Sequence, residues 1–308
     1  MKPYVLITAA RNEESYIEKT VRSVIAQTVL PKKWVIVSDG STDRTDEIVK
    51  RYADAHDLIL LLHKPADQER NYGSKARALK LAYDQLTNLS YDFVGNLDAD
   101  VSFDATYYES VLKKLDENER LGLAGGIRFD LCNGQFRRVY CARNSVGGPF
   151  QLFRRECYEK IGGYRPLRFG TVDSVAETMV RMHGWEVESF PEFKVYHYRC
   201  TGTAHGGIVK ARFKVGAQNY SIGYHALFQI MRCVSRLFRY PLVIGSLSEL
   251  VGYFWTSLKM HEREVPDDFV RYLRSEQLGR LRSVLPHKSP VGVTKHPGDR
   301  TTRQTSGQ

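Results

Sequence analysis

The sequence has little cysteine, and none of it is spaced to build a framework. Its five cysteines, Cys132, Cys141, Cys157, Cys200 and Cys233, are odd in number and include no CxxC pair. That pattern argues against a disulfide scaffold and a zinc ribbon, and favours reduced thiols. A long apolar leader is also missing. The run Tyr4–Ala10 is short and Arg11-Asn12-Glu13-Glu14 follows at once, so no signal peptide is expected. No internal repeat and no nucleic-acid-binding motif stands out. Acidic charge is the minority: 35 Asp and Glu against 45 Lys and Arg leave a net charge of +10. This points to an anionic partner, and charge alone does not choose among nucleotide phosphates, anionic lipid and nucleic acid. The composition also excludes wholesale disorder. Hydrophobic residues make up 42% and aromatics 11% of 308 residues, enough for one large domain or a domain with an appendage.

What is present alternates. Tyr4–Ala10 is apolar on both faces, as a buried parallel strand is. Ile17, Val21, Val24 and Ile25 then recur at helical spacing. A second strand over 34–38 ends at Asp39-Gly40-Ser41-Thr42-Asp43. A helix over 45–55, a strand over 58–62, a helix over 74–86 and a strand over 93–97 follow, the last ending at Asp98. Such alternation predicts βαβ units and a mostly parallel sheet. Ligands bind beyond the carboxyl ends of such strands, so Arg11–Glu14, Asp39–Asp43 and Asp98–Asp100 should share one rim. From 122 to 199 the pattern is less regular, with strands expected at 123–129, 149–153 and 193–198 and a helix at 173–183.

Asp98-Ala99-Asp100 places two carboxylates after a strand, one residue apart. Such hard oxygen ligands suit Mg²⁺ or Mn²⁺, and a cation there would act on phosphate oxygens; acidic pairs also occur in plain solvated turns. Asp39, Ser41 or Thr42 could cap the next helix as well as face a ligand. Thr8-Ala9-Ala10-Arg11-Asn12-Glu13-Glu14, Asp39-Gly40-Ser41-Thr42-Asp43, Gly73-Ser74-Lys75-Ala76-Arg77-Ala78-Leu79 and Leu97-Asp98-Ala99-Asp100 occur in that order. Together they resemble the family 2 glycosyltransferases of GT-A fold, over about residues 3–200.

The resemblance implies an inverting, nucleotide-sugar-dependent enzyme with a divalent cation. It places Thr8, Ala10, Arg11 and Glu13 in the nucleoside pocket and Asp39 on the base, commonly uracil. It sets Lys75 or Arg77 near base or phosphate, Asp98 by the ribose and metal, and Asp100 as the more direct metal ligand. One general base is required. By the same resemblance it is Asp173 in Gly170-Thr171-Val172-Asp173-Ser174, with Glu177 in reserve. The family's usual Glu-Asp pair is replaced here by Asp173-Ser174, and Asp173 could instead cap a helix. The resemblance also makes His197 a metal or diphosphate contact and Arg199 a diphosphate contact, with His205 behind them. A packing role remains open for His197. Gly147 and Gly148 resemble the acceptor-side loop, though ordinary tight turns would also use them.

Beyond about residue 205 the texture becomes basic and aromatic. Tyr240–Leu258 holds one charged residue, Glu249, and reads as a buried helix or an interfacial one; Pro241, Gly245, Ser246, Ser248, Glu249 and Gly252 weaken a spanning reading. The expected organisation is a catalytic domain over 1–204, with a nucleotide half to about 100 and an acceptor half from 101. A helical extension over 205–285 and a flexible tail over 286–308 complete it. The expected partners are a nucleotide-sugar donor, a glycan or lipid-linked acceptor and a membrane surface, with no nucleic acid. The expected location is cytoplasmic, at the inner face of a membrane. Two other readings are an inactive glycan-binding homologue and a sugar nucleotidyltransferase. The second would need a Gly-rich basic loop after the first strand, where Arg11–Glu14 stands instead.

Overall fold

The computed structural model describes residues 1–65, 73–200, 207–238, 242–259 and 262–284. The chain opens with β1 (Tyr4–Ala10), α1 (Ile17–Ile25), β2 (Lys33–Asp39), α2 (Thr45–Ala55), β3 (Ile59–Lys64), α3 (Gly73–Asp84) and β4 (Phe93–Leu97). These four strands pair in parallel in the order β3-β2-β1-β4. Helices cover the sheet, so Val5, Leu6, Ile7, Trp34, Ile36 and Phe93 are fully buried. This is why the strands read as unbroken apolar runs.

The second half is β5 (Val101–Phe103), α4 (Tyr107–Glu117), β6 (Leu121–Cys132), β7 (Gln135–Arg138), β8 (Phe150–Arg154), α5 (Arg155–Lys160), α6 (Val172–Met182) and β9 (Glu186–His197). It extends the same sheet as β4-β8-β6-β9-β5, with β7 on β6. Here the pairing is mixed: β4 with β8, β8 with β6, β6 with β7 and β9 with β5 are antiparallel, and only β6 with β9 is parallel. β9 starts earlier than patterning predicts because exposed Pro191 and Glu192 interrupt its apolar alternation.

Cys132 and Cys200 form a disulfide, which corrects the expectation of reduced thiols throughout. Parallel pairing brings Asp130 of β6 opposite His197 of β9, so Cys132, the last residue of β6, and Cys200, three beyond β9, arrive together. Cys141, Cys157 and Cys233 are free.

Four helices follow: α7 (Ile208–Ser221), α8 (Ala226–Val234), α9 (Leu242–Lys259) and α10 (Asp267–Val284). Phe269, Val270 and Leu273 of α10 join the main core, and Arg181 of α6 reaches Glu276 of α10 at 2.8 Å. Gln218 of α7 donates to the Phe169 carbonyl at 2.6 Å, and the Arg168 amide donates to Glu264 at 2.7 Å. The extension thus braces the loop that leads into α6. His205 and the expected tail lie outside the described residues.

Candidate active site

The loops after β1 and β2 are laced together. The Asn12, Glu13 and Glu14 amides donate to Ser41, Thr45 and Asp43, while Asn12 Oδ1 accepts from the Thr42 amide at 2.8 Å. Asn12 takes a left-handed backbone, which Asn tolerates and which turns the loop back on itself. The loops after β1 and β2 therefore form one hydrogen-bonded edge.

Asp39 ends β2 almost fully buried. It pairs with Lys64 at 2.8 Å and accepts from Ser74 Oγ at 2.5 Å, tying β2, β3 and α3 together. Thr45 rather than Asp39 opens α2, so the Asp39 carboxylate does not cap that helix. Lys75 and Arg77 stand two apart on α3 and so face different ways. Lys75 Nζ meets Asp98 Oδ1 at 2.5 Å, whereas Arg77 is on the exposed side. Thr8 is fully buried and its hydroxyl accepts from Trp34 Nε1 at 2.9 Å; Ala10 is buried at the strand end and Arg11 lies on the rim.

Asp100 faces the end of β9. Its Oδ2 lies 3.3 Å from His197 Nε2 and 3.5 Å from Arg199, and its carbonyl accepts from the Tyr198 amide. His197 Nδ1 lies 2.9 Å from Asp130 Oδ1, and Asp130 pairs with Arg128 at 3.0 Å. Asp130 thus holds the imidazole so that Nε2 faces Asp100. Arg199 makes a bidentate pair with Glu13, joining the β9 end to the first loop. The disulfide anchors the residue directly after Arg199.

Charge is unevenly shared over this cluster. Burial raises the Asp98 carboxyl, and Lys75 offsets that only in part. Burial also pushes Asp100 up, but His197 and Arg199 prevail and hold it below its ordinary value. Burial works against a charged His197, yet Asp100 and Asp130 raise it to about 9. Glu13 is raised to about 7 by burial and by the charge of Asp100, against its pairing with Arg199.

Asp173 belongs to the same place. α6 begins at Val172, after Thr171 in a left-handed conformation, so Asp173 lies in the first turn and is not the cap. A Cβ on Gly148 would run into its carboxylate, so only glycine lets the 147–148 turn pass so close. The Gly148 carbonyl is held by Asn96 Nδ2 at 2.7 Å. The charges of Asp98, Asp173 and Asp100 all bear on Lys75 and keep its ammonium raised against burial. Glu177 is committed elsewhere: it pairs with Arg181 and accepts from Ser145 Oγ and the Val146 amide, bracing the loop before Gly147. Burial raises it.

Among the described residues no three His, Cys, Asp or Glu side chains converge as a ready metal cluster. Asp100 and His197 stand together, with Asp98 beside them on Lys75. Cations that bind alongside substrate phosphates take one or two protein carboxylates and complete their shell with phosphate and water. The donor set fits that use. A cavity of about 550 Å³ lies away from the rim, near Arg143, Arg181, Trp185 and Tyr272. Its arginines are already paired, Arg143 with Glu188 and Arg181 with Glu177 and Glu276.

Asp130 is the residue that sequence reasoning missed. It stands one residue past the strand expected at 123–129 and inside the longer β6 that forms. Of the partners of Asp39, Ser74 stands in the Gly73–Leu79 motif without an expected role, and Lys64 has no sequence signal.

A parallel half, a mixed half and an acidic pair at their junction make a GT-A-like fold. The Glycosyl transferase family 2 profile matches residues 5–176, and the chain belongs to that family. It is therefore a glycosyltransferase. It is 25% identical over 274 residues to the poly-beta-1,6-N-acetyl-D-glucosamine synthase of Staphylococcus aureus strain COL, covering 81% of this chain and 61% of that protein. The Staphylococcus epidermidis synthase is 27% identical over 206 residues, 60% of this chain and 47% of that protein. The chain thus spans about half to three-fifths of these relatives' lengths. Among solved structures it resembles a Pyrobaculum calidifontis mannosyltransferase in complex with GDP-Man and Mn²⁺. The TM-score is 0.55 at 17% identity, covering 92% of this chain and 76% of that one. S. aureus TarS 1-349 with UDP-GlcNAc gives 0.52 at 14% identity, covering 92% and 82%. At such identities these two show a shared fold.

Proposed function

We propose that this enzyme transfers a sugar, with inversion, from a nucleotide-diphosphate sugar to a hydroxyl of a glycan or lipid-linked saccharide. The observation that carries the reading is the Asp173 carboxylate, packed on Gly148 and within electrostatic reach of Lys75, which pairs with Asp98. In this reading Asp173 takes the proton of the attacking acceptor hydroxyl as the sugar–phosphate bond breaks and the diphosphate leaves. The turn at Gly147 and Gly148 lets the acceptor approach the backbone. Asp39 and the 11–13 loop hold the nucleoside, and Lys75 and Arg199 bring fixed positive charge to the phosphates. A Mn²⁺ or Mg²⁺ held by Asp100, Asp98 and His197 would neutralise charge on the departing diphosphate. Glu177, with both oxygens engaged, braces the loop instead of acting as base.

UDP sugars come first among donors, and UDP-GlcNAc first among those, because the synthase relatives are named for poly-N-acetylglucosamine. The test is a thermal-shift panel of UDP, GDP and dTDP sugars with and without Mn²⁺. A ligand at 100 times its Kd adds about 2.7 kcal/mol. A cation-dependent shift confined to one nucleotide class is expected; no shift with any donor would overturn the reading.

We also place the enzyme at the cytoplasmic face of a membrane, where nucleotide sugars are made. That placement and the disulfide pull against each other, because disulfides are rare in reducing compartments. Thiol labelling in the producing cell decides between them: labelled Cys132 and Cys200 support the cytoplasmic side, and a protected pair refutes it.

A further inference from the structure

Among the described residues, no helix is long and apolar enough to cross a membrane. Yet α9 is built inside out. The face it turns to the protein carries Gly245, Ser246, Glu249, Gly252, Tyr253 and Thr256. Its outer face carries Val243, Leu247, Val251, Phe254, Trp255 and Leu258, from 44% to 81% exposed. Leu227, Ile230, Met231 and Val234 of α8 are exposed as well. Soluble monomers rarely leave a contiguous apolar surface of this kind uncovered.

The rotation of α9 is locked. α7 and α9 cross so closely that a Cβ on Gly216 would overlap the Glu249 carbonyl, and one on Gly252 would overlap the Phe213 carbonyl. Glu249, 2% exposed, accepts from Gln229 at 3.2 Å and from Asn219 at 3.4 Å, with Arg212 and Arg232 within 3.8 Å. Turning the apolar face inward would break this seam and expel a buried charge network. The large apolar side chains are therefore held outward by design of the packing.

Charge identifies what covers them. α7, α8 and α9 carry Lys210, Arg212, Lys214, Arg232 and Lys259, and their one acid is the buried Glu249. On these three helices the formal charge that remains is positive. A second copy would bring like charges together, whereas anionic headgroups would neutralise them. Lys259 lies over the Trp255 ring at 4.5 Å, an apolar body beside a cationic tip that suits a headgroup boundary.

We propose that the apolar face of α8 and α9, with its basic margin, seats in the interface of an anionic lipid bilayer, α9 lying in the membrane plane. This stands on the extension alone and does not depend on the donor or the base. It has a consequence for the site, because α7 and Glu264 hold the loop before α6, which then sits near the lipid surface and its embedded acceptors.

The test is flotation of the full chain on phosphatidylcholine vesicles with and without phosphatidylglycerol, using wild type, Leu247→Ser/Phe254→Ser and Lys210→Gln/Lys259→Gln. Wild type should float with the anionic vesicles, and brominated lipid should quench Trp255. The serine pair should weaken binding by at least about tenfold with an unchanged thermal midpoint. The glutamine pair should reduce the preference for anionic lipid. Failure to float, with no quenching of Trp255 in the wild type, would overturn the proposal whatever the variants do. Equal binding to both vesicle types would overturn its anionic part. A wild-type dimer that the serine pair turns into monomer without lipid would assign the face to self-association instead.

Discussion

In the parallel half of the sheet, Leu6, Ile7, Trp34 and Ile36 fill the interior while Asp39, Asp98 and Asp100 gather at the strand ends. In α9 the arrangement is reversed, with Glu249 and Gly252 inside and Leu247 and Trp255 outside. Desolvation of apolar surface suffices to orient the first region, and the polar residues left over form the site. Close backbone approach and a buried ionic seam orient the second, and what is left over is an apolar surface. The same chain thus carries a charged rim and an outward apolar face, and the loop into α6 joins them.

That contrast can be broken at its junction. Asp173→Asn should leave donor binding near normal and lower turnover by on the order of 10²-fold or more. Retained turnover, with binding checked by the same thermal shift, would move the base elsewhere. Replacing Cys132 and Cys200 by serine opens a link across 68 residues of sequence. It should cost about 2–4 kcal/mol in denaturant unfolding, and an unchanged midpoint would show that the bond adds nothing. Gly252→Val and Leu247→Ser sharpen the inside-out reading. The valine meets the Phe213 carbonyl and should destabilise by roughly 1–3 kcal/mol, whereas the serine should leave the melting curve in place. The reverse order would mean that α9 faces the other way.

The subtlest prediction concerns Asp130. Asp130→Asn should weaken Mn²⁺ binding by about tenfold or more, read by titration against the Mn²⁺ paramagnetic signal, because the imidazole loses its orienting partner. It should also flatten the pH dependence of the metal-free protein. His197 has a raised pKa, so its stabilising contribution is complete below 6.5 and is lost as pH climbs through about 9. Glu13 has the same sign, its contribution being lost between 4.5 and about 7. The thermal midpoint should therefore fall across that range, and fall less from 6.5 to 9 in the Asp130 variant.

Much of the parallel half is legible in the sequence. The strand over 93–97 and the helix over 45–55 were read with their observed bounds, because apolar periodicity is a local property. The rim motifs were legible too, since they follow strands directly. The second half was harder: α4 and β7 carried no assignment, and Pro191 hid the start of β9. Arg77 looked equal to Lys75 until the helix turned it outward.

The alternation of strands and helices, the order of the rim motifs and the basic, apolar character of the C-terminal third are written locally along the chain. Long-range packing sets the contact of Asp130 with His197, the meeting of Cys132 and Cys200, the bracing by Glu177, the place of Asp173 against Gly148 and the outward turn of the large side chains of α9. The reason is distance along the chain. Asp130 and His197 lie 67 residues apart and Cys132 and Cys200 lie 68 apart. Contacts of that span are set by strand register and helix crossing, which no local spacing encodes.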